Sequence, residues 1–227
     1  MTPAPVLTGL APDPRQPGYL LVDVDRGRFA SLPADAVEPL RLLVGAELTP
    51  VQLARLRELA DVEAAHRAAL RALGRRSHAR VELGRRLAKR QHPPQAVAAA
   101  LDRLAALGLL DDRRFAEQYA AVRAARGKGP ARLVADLLAQ GVDRKVAEDA
   151  VRRALEDEGL DPALEARAVA AKRARQLRDL PPPVRKRRLL AFLVRRGYAG
   201  AEVKGLVEEL CGGRSTNSLD PAAPPRG

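Results

Sequence analysis

Apolar residues recur at steps of three and four along most of this chain, and the runs that carry them are cut at intervals by Gly, Pro and Asp. Val97, Leu101, Leu104 and Leu107 form one such stripe after Pro93-Pro94; Leu133, Leu137 and Leu138 form a second, and Leu189, Leu190, Leu193 and Val194 a third. This spacing turns one face of a helix toward a core. The cuts Gln91-His92-Pro93, Gln140-Gly141-Val142-Asp143 and Arg196-Gly197-Tyr198 each close one helix and open another. Longer breaks, Gly108-Leu109-Leu110-Asp111-Asp112 and Gly159-Leu160-Asp161-Pro162, pair a Gly able to end a helix in the left-handed conformation with an Asp able to cap the next. From residue 61 onward the pattern returns about every fifty residues, which marks a tandem-module protein.

The pattern divides the chain as follows. Residues 1–18, rich in Pro and small side chains, read as a flexible leader; residues 19–60 hold two β-prone runs about Arg26-Gly27, a helix over 34–44, and a second starting at Thr49-Pro50 with Val51, Leu53, Leu56 and Leu59 inward. Three-helix repeats follow over 61–110, 111–160 and 161–211, and residues 212–227 read as a disordered tail. In the first repeat a helix over 61–73 precedes one opening at Ser77 as N-cap, with Glu82 too far along to complete a capping box. Val81, Leu83 and Leu87 are expected inside. Phe115, Tyr119, Val122, Val142, Val146 and Val151 complete the inward set of the second repeat. The fold class is therefore mainly α: an elongated array of three-helix modules with a small N-terminal segment containing a β-hairpin. Single modules of this size bury too little to stand alone, so stacking supplies the core.

Charge changes the picture. The net charge is +12, yet residues 1–60 hold six Arg against seven Asp or Glu, so the remainder carries +13. A positive field confined to the repeats attracts phosphate backbones or acidic protein surfaces, and a solvated Arg-rich helical surface is the ordinary alternative. Cys211 is the only cysteine, which excludes an intrachain disulfide and points to a reducing cytoplasm. No apolar run approaches a membrane span and the first residues lack a secretory pattern, so a soluble cytoplasmic protein is expected.

Three pieces resemble one family closely: Arg76-Ser77 with Glu82-Leu83, Leu107-Gly108-Leu109-Leu110-Asp111-Asp112 followed by Phe115-Ala116 and Tyr119, and Gly127-Lys128-Gly129-Pro130 before Leu137. In order and spacing they look like the bacterial RecX regulatory family, and the stretch from Tyr19 to Leu59 is similar to the front segment of its longer members. The resemblance implies a curved array of three-helix modules that binds the RecA recombinase filament, lies in its groove and damps its ATPase and strand exchange, in recombination, repair and the SOS response. The sequence departs from the family at Gln91 and His92, where a Gly and an apolar residue are common, and in the Pro-interrupted third unit.

Catalytic chemistry is not expected. Asp111-Asp112 could form a carboxylate pair or hold a divalent ion, but no further ligands converge in the sequence, and their place between Gly108 and Phe115 suits helix capping. His66, His78 and His92 lack zinc-site spacing, and Gly127-Lys128-Gly129-Pro130 lacks the rest of a phosphate-binding loop, so neither cofactor nor metal is expected. With only three Phe, three Tyr and no Trp, mostly needed for packing, base stacking is not on offer; DNA contact would be phosphate-led and salt-sensitive. The candidate partner- and DNA-binding residues are Arg75, Arg76, Arg80, Arg85, Arg86, Lys89 and Arg90 in the first repeat, Arg126, Lys128 and Arg132 in the second, and Arg185, Lys186, Arg187 and Arg188 in the third. The expected protein is a monomer whose partners are the RecA filament and, through phosphates, DNA. The alternative is a helix-turn-helix transcription regulator built on residues 77–101, although Gln95-Ala96-Val97-Ala98-Ala99-Ala100 offers little to read base edges.

Overall fold

The computed structural model describes residues 4–212, so most of the tail expected to be disordered lies outside the described residues. The chain divides into two compact units: residues up to Phe115 with Gln140–Val142, and residues 116–139 with those from Asp143 on.

The first unit opens with an antiparallel sheet of three strands, β1 (Leu7–Pro12), β2 (Tyr19–Val24) and β3 (Gly27–Pro33), in that order. The expected hairpin is β2–β3. The leader, however, is not loose: residues 7–12 pair along β2, and Leu7 is fully buried. Its prolines mask the strand in the sequence, but Pro12 ends an edge strand, where a missing N–H interrupts no central ladder. The hairpin turn is Asp25-Arg26, one residue earlier than expected, and both residues have positive φ (50° and 64°), as a tight two-residue hairpin turn requires. β1 and the residue before it hold that turn: Val6 N–H donates to Asp25 Oδ1 at 2.8 Å and Arg26 N–H to Thr8 Oγ1 at 2.9 Å.

Helix α1 (Ala34–Val37) is shorter than the helix expected over 34–44, because Pro39 lies in the 3-10 turn that follows, Glu38–Leu40. The next helix, α2, runs unbroken over Pro50–Leu73. A reciprocal cap starts it: Thr49 Oγ1 accepts from Gln52 N–H at 3.2 Å, while Gln52 Oε1 accepts from Thr49 N–H at 3.0 Å. Two helices meeting near residue 60 were expected, but no Gly or Pro stands between Val51 and Leu73, and nothing interrupts the hydrogen bonds. Val51, expected inside, is 78% exposed, whereas Leu56 is fully buried.

Helices α3 (Arg80–Ala88) and α4 (Pro94–Ala106) pack on the second half of α2. Ala68, Ala69, Ala72, Leu83, Leu87, Val97, Leu101, Leu104 and Leu110 form their common core. Each fully buried Leu contributes about 2 kcal/mol, and the alanines let the helices approach closely. Leu107, predicted to be inside, is exposed because the helix has already ended there. A polar knot joins sheet to helices beside this core: Arg103 of α4 donates to Glu63 Oε2 of α2 at 3.3 Å and to the Tyr19 hydroxyl of β2 at 2.9 Å.

The remaining helices are α5 (Asp112–Ala124), α6 (Pro130–Gln140), α7 (Arg144–Asp157), α8 (Pro162–Gln176), α9 (Pro182–Arg196) and α10 (Ala201–Cys211). Ala116, Ala120 and Ala124 of α5, Leu133 and Leu137 of α6, and Ala147, Ala150, Val151 and Ala154 of α7 are buried at helical spacing. In α8–α10 the core is Ala166, Ala170, Leu177, Leu189, Leu193, Tyr198, Val203, Val207 and Cys211. Val122 and Val194, expected inside, are about half exposed at 51% and 53%. Within the second unit the α5–α6 connection meets the α9–α10 turn backbone to backbone. Gly129 N–H donates to Arg196 O at 2.8 Å, and a Cβ on Gly129 would stand 2.6 Å from the Gly197 carbonyl.

Candidate partner-binding surface

Fourteen cations were singled out from sequence, and their local chemistry separates them into two groups. Around the start of α3, Glu82 is half-buried and accepts from the Arg76 guanidinium and from His78 Nδ1 at 2.9 Å. Burial raises the Glu82 pKa, but the hydrogen bonds from Arg76 and His78 outweigh it and leave the carboxyl below its ordinary value. Ser77 does not cap α3, contrary to expectation; the residue before the helix is Ala79, and the cap comes from Asp112, whose Oδ1 accepts from Arg80 N–H at 2.7 Å. The Arg80 side chain in turn pairs with Asp102 of α4 at 2.6 Å. Asp111 caps its own helix, accepting from Arg113 and Arg114 N–H at 2.9 and 3.1 Å. The adjacent carboxylates thus serve two different helix starts, and no group of three or more metal-binding side chains is found among the described residues.

Similar ties hold other members. Asp136 of α6 takes Lys128 Nζ at 3.0 Å and Arg132 Nε at 2.8 Å. Arg185 donates to the Cys211 carbonyl at 2.6 Å, and Lys186 pairs with Glu208. Arg76, Arg80, Lys128, Arg132, Arg185 and Lys186 therefore have intramolecular work.

The second group differs. Arg75 follows α2, Lys89 and Arg90 follow α3, Arg126 follows α5, and Arg187 and Arg188 lie on α9; all are exposed, and none makes an ion pair among the described residues. Arg85, which has an interaction of its own within the chain, is exposed and Arg86 half-buried, both in the last turn of α3, where the helix dipole already favours positive charge. No such return exists for Arg187 and Arg188, which sit in the first half of α9, beyond a first turn that holds no acidic residue. Four consecutive cations there repel one another, and only two are compensated.

Glu63 and Arg103 were missed as a pair because they lie forty residues apart and only the fold joins them. Burial raises the Glu63 pKa despite Arg103 and Arg67 nearby, and burial with the same two arginines lowers that of His66. No helix among the described residues is long and apolar enough to cross a membrane.

Comparison with known proteins places this arrangement. Family models described as the first, second and third three-helix domains of RecX match residues 65–104, 111–151 and 165–206 in tandem. The regulatory protein RecX of Halorhodospira halophila is 41% identical over 144 residues, which cover 63% of this chain and 85% of the relative. That of Mycobacterium leprae is 43% identical over 135 residues, covering 57% and 75%. A crystal structure of a regulatory protein RecX superposes with a TM-score of 0.69 at 19% identity, over 91% of this chain and 98% of the other, which extends the likeness of fold through the N-terminal sheet. A second, of RecX from Lactobacillus salivarius, gives 0.55 at 21% identity over 66% of this chain and 96% of the other. With three domain models in the family's order and relatives matched over most of their length, the chain belongs to the RecX family of regulatory proteins.

Proposed function

We propose that this RecX-family regulator acts in the cytoplasm, without catalysis of its own, by binding the RecA recombinase filament and damping its ATPase and strand-exchange activities. The observation that carries this reading is the set of exposed cations with no ion-pair partner among the described residues, above all Arg187 and Arg188 on α9 with Lys89 and Arg90 beyond α3. A nucleoprotein filament presents both phosphates and carboxylates, and planar guanidinium groups bind either with paired hydrogen bonds. The mode of action is selective affinity: a regulator that binds one filament state more tightly shifts the population toward it, whereas equal affinity for all states shifts nothing.

A helix-turn-helix reading of α3 and α4 fares poorly. The exposed positions of α4 are Pro94, Gln95, Ala98, Ala99, Asp102, Ala105 and Ala106, which supply one amide, small apolar groups and an anion where a major-groove helix presents several long donors.

The test is recombinase ATPase on single-stranded DNA in excess, with the full chain titrated in at several salt concentrations. Inhibition at substoichiometric protein supports filament engagement; inhibition only when protein suffices to coat the DNA supports simple competition for phosphate. The paired charge reversals R187E/R188E and K89E/R90E are expected to raise the half-inhibitory concentration about tenfold or more with unchanged helical content. Full inhibition by both variants would reject the assignment.

A further inference from the structure

Within the second unit, a cavity of about 440 Å³ has eight lining residues, among them Arg126, Lys172, Arg173, Gln176, Phe192 and Arg196. Four of its eight lining residues are cations and none is an acid. Of these, sequence reasoning had named only Arg126 as a binding residue. Neither Arg126, Lys172, Arg173 nor Arg196 makes an ion pair among the described residues, whereas Lys128 and Lys186, half-buried like Arg173 and Arg196, each meet a carboxylate.

Two of the cations are also held in place. Arg173 and Arg196 both lie against the Phe192 ring, at 5.3 and 5.2 Å from its centroid. Arg196 Nη1 donates to Gly127 O at 3.1 Å, and Arg173 Nη1 to Gln176 Oε1 at 2.8 Å. Arg173 Nε is buried with no hydrogen-bond partner among the described residues. A buried donor without an acceptor is costly, and an incoming anion would satisfy it. Phe192 has its ring engaged by guanidinium groups, so it orients cations and is a poor platform for a nucleobase.

We propose that this cavity is a phosphate-binding site that takes a backbone phosphodiester of single-stranded DNA. An open, acid-free cleft whose donors come from two helices, α8 and α9, and the loop after α5 suits a tetrahedral oxyanion, which accepts from several directions at once, better than a flat carboxylate, which accepts in one plane. The proposal deepens the filament reading, and rests on it for the biological source of the strand. The strand affinity of the protein alone is nevertheless measured without recombinase, so that failure of one does not count as failure of the other.

The experiment is fluorescence anisotropy of a labelled oligothymidylate titrated with the full chain over a range of salt concentrations. Lys172→Gln combined with Arg173→Gln is expected to weaken binding about tenfold, the loss of one well-made charged contact, and to reduce the slope of log K against log salt by about 0.7, the value for one phosphate on a single strand. Lys172→Glu alone, at an exposed position, repeats the test should the double variant unfold. Lys204→Gln, an exposed cation outside the cavity, controls for net charge; since it removes one charge against two, a loss in log K about half that of the double variant overturns the proposal in favour of diffuse attraction. Inorganic phosphate and an acidic peptide are titrated in parallel. If either binds in a Lys172-dependent way while oligonucleotide affinity is unchanged by the variants, the cavity takes a free anion or a protein carboxylate, and the strand assignment falls.

Discussion

Asp112 Oδ1 accepts the backbone N–H of Arg80 at 2.7 Å, so a residue that begins α5 caps the start of α3, thirty-two positions earlier. Ala79, which precedes α3, has no side chain able to do this. Asp112→Ala should therefore destabilise the protein by about 1 kcal/mol, the usual worth of an N-cap, while Asp112→Asn keeps the acceptor and most of the stability. Urea unfolding of both variants checks it. Equal losses in Ala and Asn would show that charge matters here rather than capping.

Three turn positions in the repeats make an internal comparison. Gly141 and Gly197 have φ of +88° and +93°, and a Cβ at either would collide with neighbouring chain, Val81 for the first and the Arg132 backbone for the second. Gln91, the corresponding position in the first three-helix group, has φ of +64° but is exposed. Gly141→Ala should cost about 2–4 kcal/mol, because left-handed strain and steric overlap add. Gln91→Gly should instead stabilise by about 0.5–1 kcal/mol, the strain relieved less the entropy of Gly. Opposite signs at equivalent positions are the readout, by thermal or denaturant midpoint. A side chain is tolerated at Gln91 because the position is exposed, whereas a Cβ at Gly141 or Gly197 meets neighbouring atoms.

Helices were legible wherever a stripe of Leu and Val was bounded by Gly or Pro, as in α4, α6 and α9. β1 was hidden because Pro12, Pro14 and Pro17 signal a loose leader, and the strand's partner lies after them in the chain. The unbroken α2 was misread as two helices because the repeat period suggests a boundary where the backbone has none. Valine at a helix surface misled in the same way at Val51, Val122 and Val194: periodicity assigns a face, but a helix covered on one side only leaves part of its stripe in water. The cations were harder still. Arg187 and Lys186 are neighbours in sequence, yet Lys186 meets Glu208 and Arg187 does not, a difference that depends on where α10 passes. Lys172 and Arg173 drew no notice because the cavity they line also needs Arg126 and Arg196 from other segments.

His66 gives the protein an acid-sensitive term. The ring is 5% exposed and neither nitrogen has a hydrogen-bond partner among the described residues. Burial, then Arg103 and Arg67, lower its pKa below the ordinary 6.5. A histidine with a depressed folded-state pKa stays neutral in the fold while the unfolded chain takes up a proton, so its contribution to stability is present above about pH 6.5 and is lost as pH falls. His66→Leu should remove that loss, with a free energy of unfolding less dependent on pH between 7 and 5, and should match or exceed wild-type stability at pH 5 because two buried polar nitrogens disappear. Chemical denaturation at the two pH values measures both effects. A pH dependence unchanged in the variant would assign it elsewhere.

Asp136 ties structure to the proposed activity. Its carboxylate, 15% exposed, meets Lys128 and Arg132, and the Tyr119 hydroxyl donates to it at 3.2 Å. Burial alone would raise its pKa, but the hydrogen bond and charge of Lys128, with Arg132, hold it below the ordinary 3.8. A depressed carboxyl stabilises the fold above about pH 3.8, and that contribution disappears as pH falls further. Both cations are more than a third exposed, so the net worth is discounted to about 1 kcal/mol or less. Asp136→Asn keeps an acceptor for Tyr119 while releasing two cations from neutralisation. The variant should lose this small amount of stability at neutral pH and should bind an oligonucleotide more tightly at low salt, with a steeper dependence on salt concentration. Anisotropy titrations of wild type and D136N across salt decide the point: if affinity and slope are the same, Lys128 and Arg132 do not reach the strand and their role is confined to holding α6.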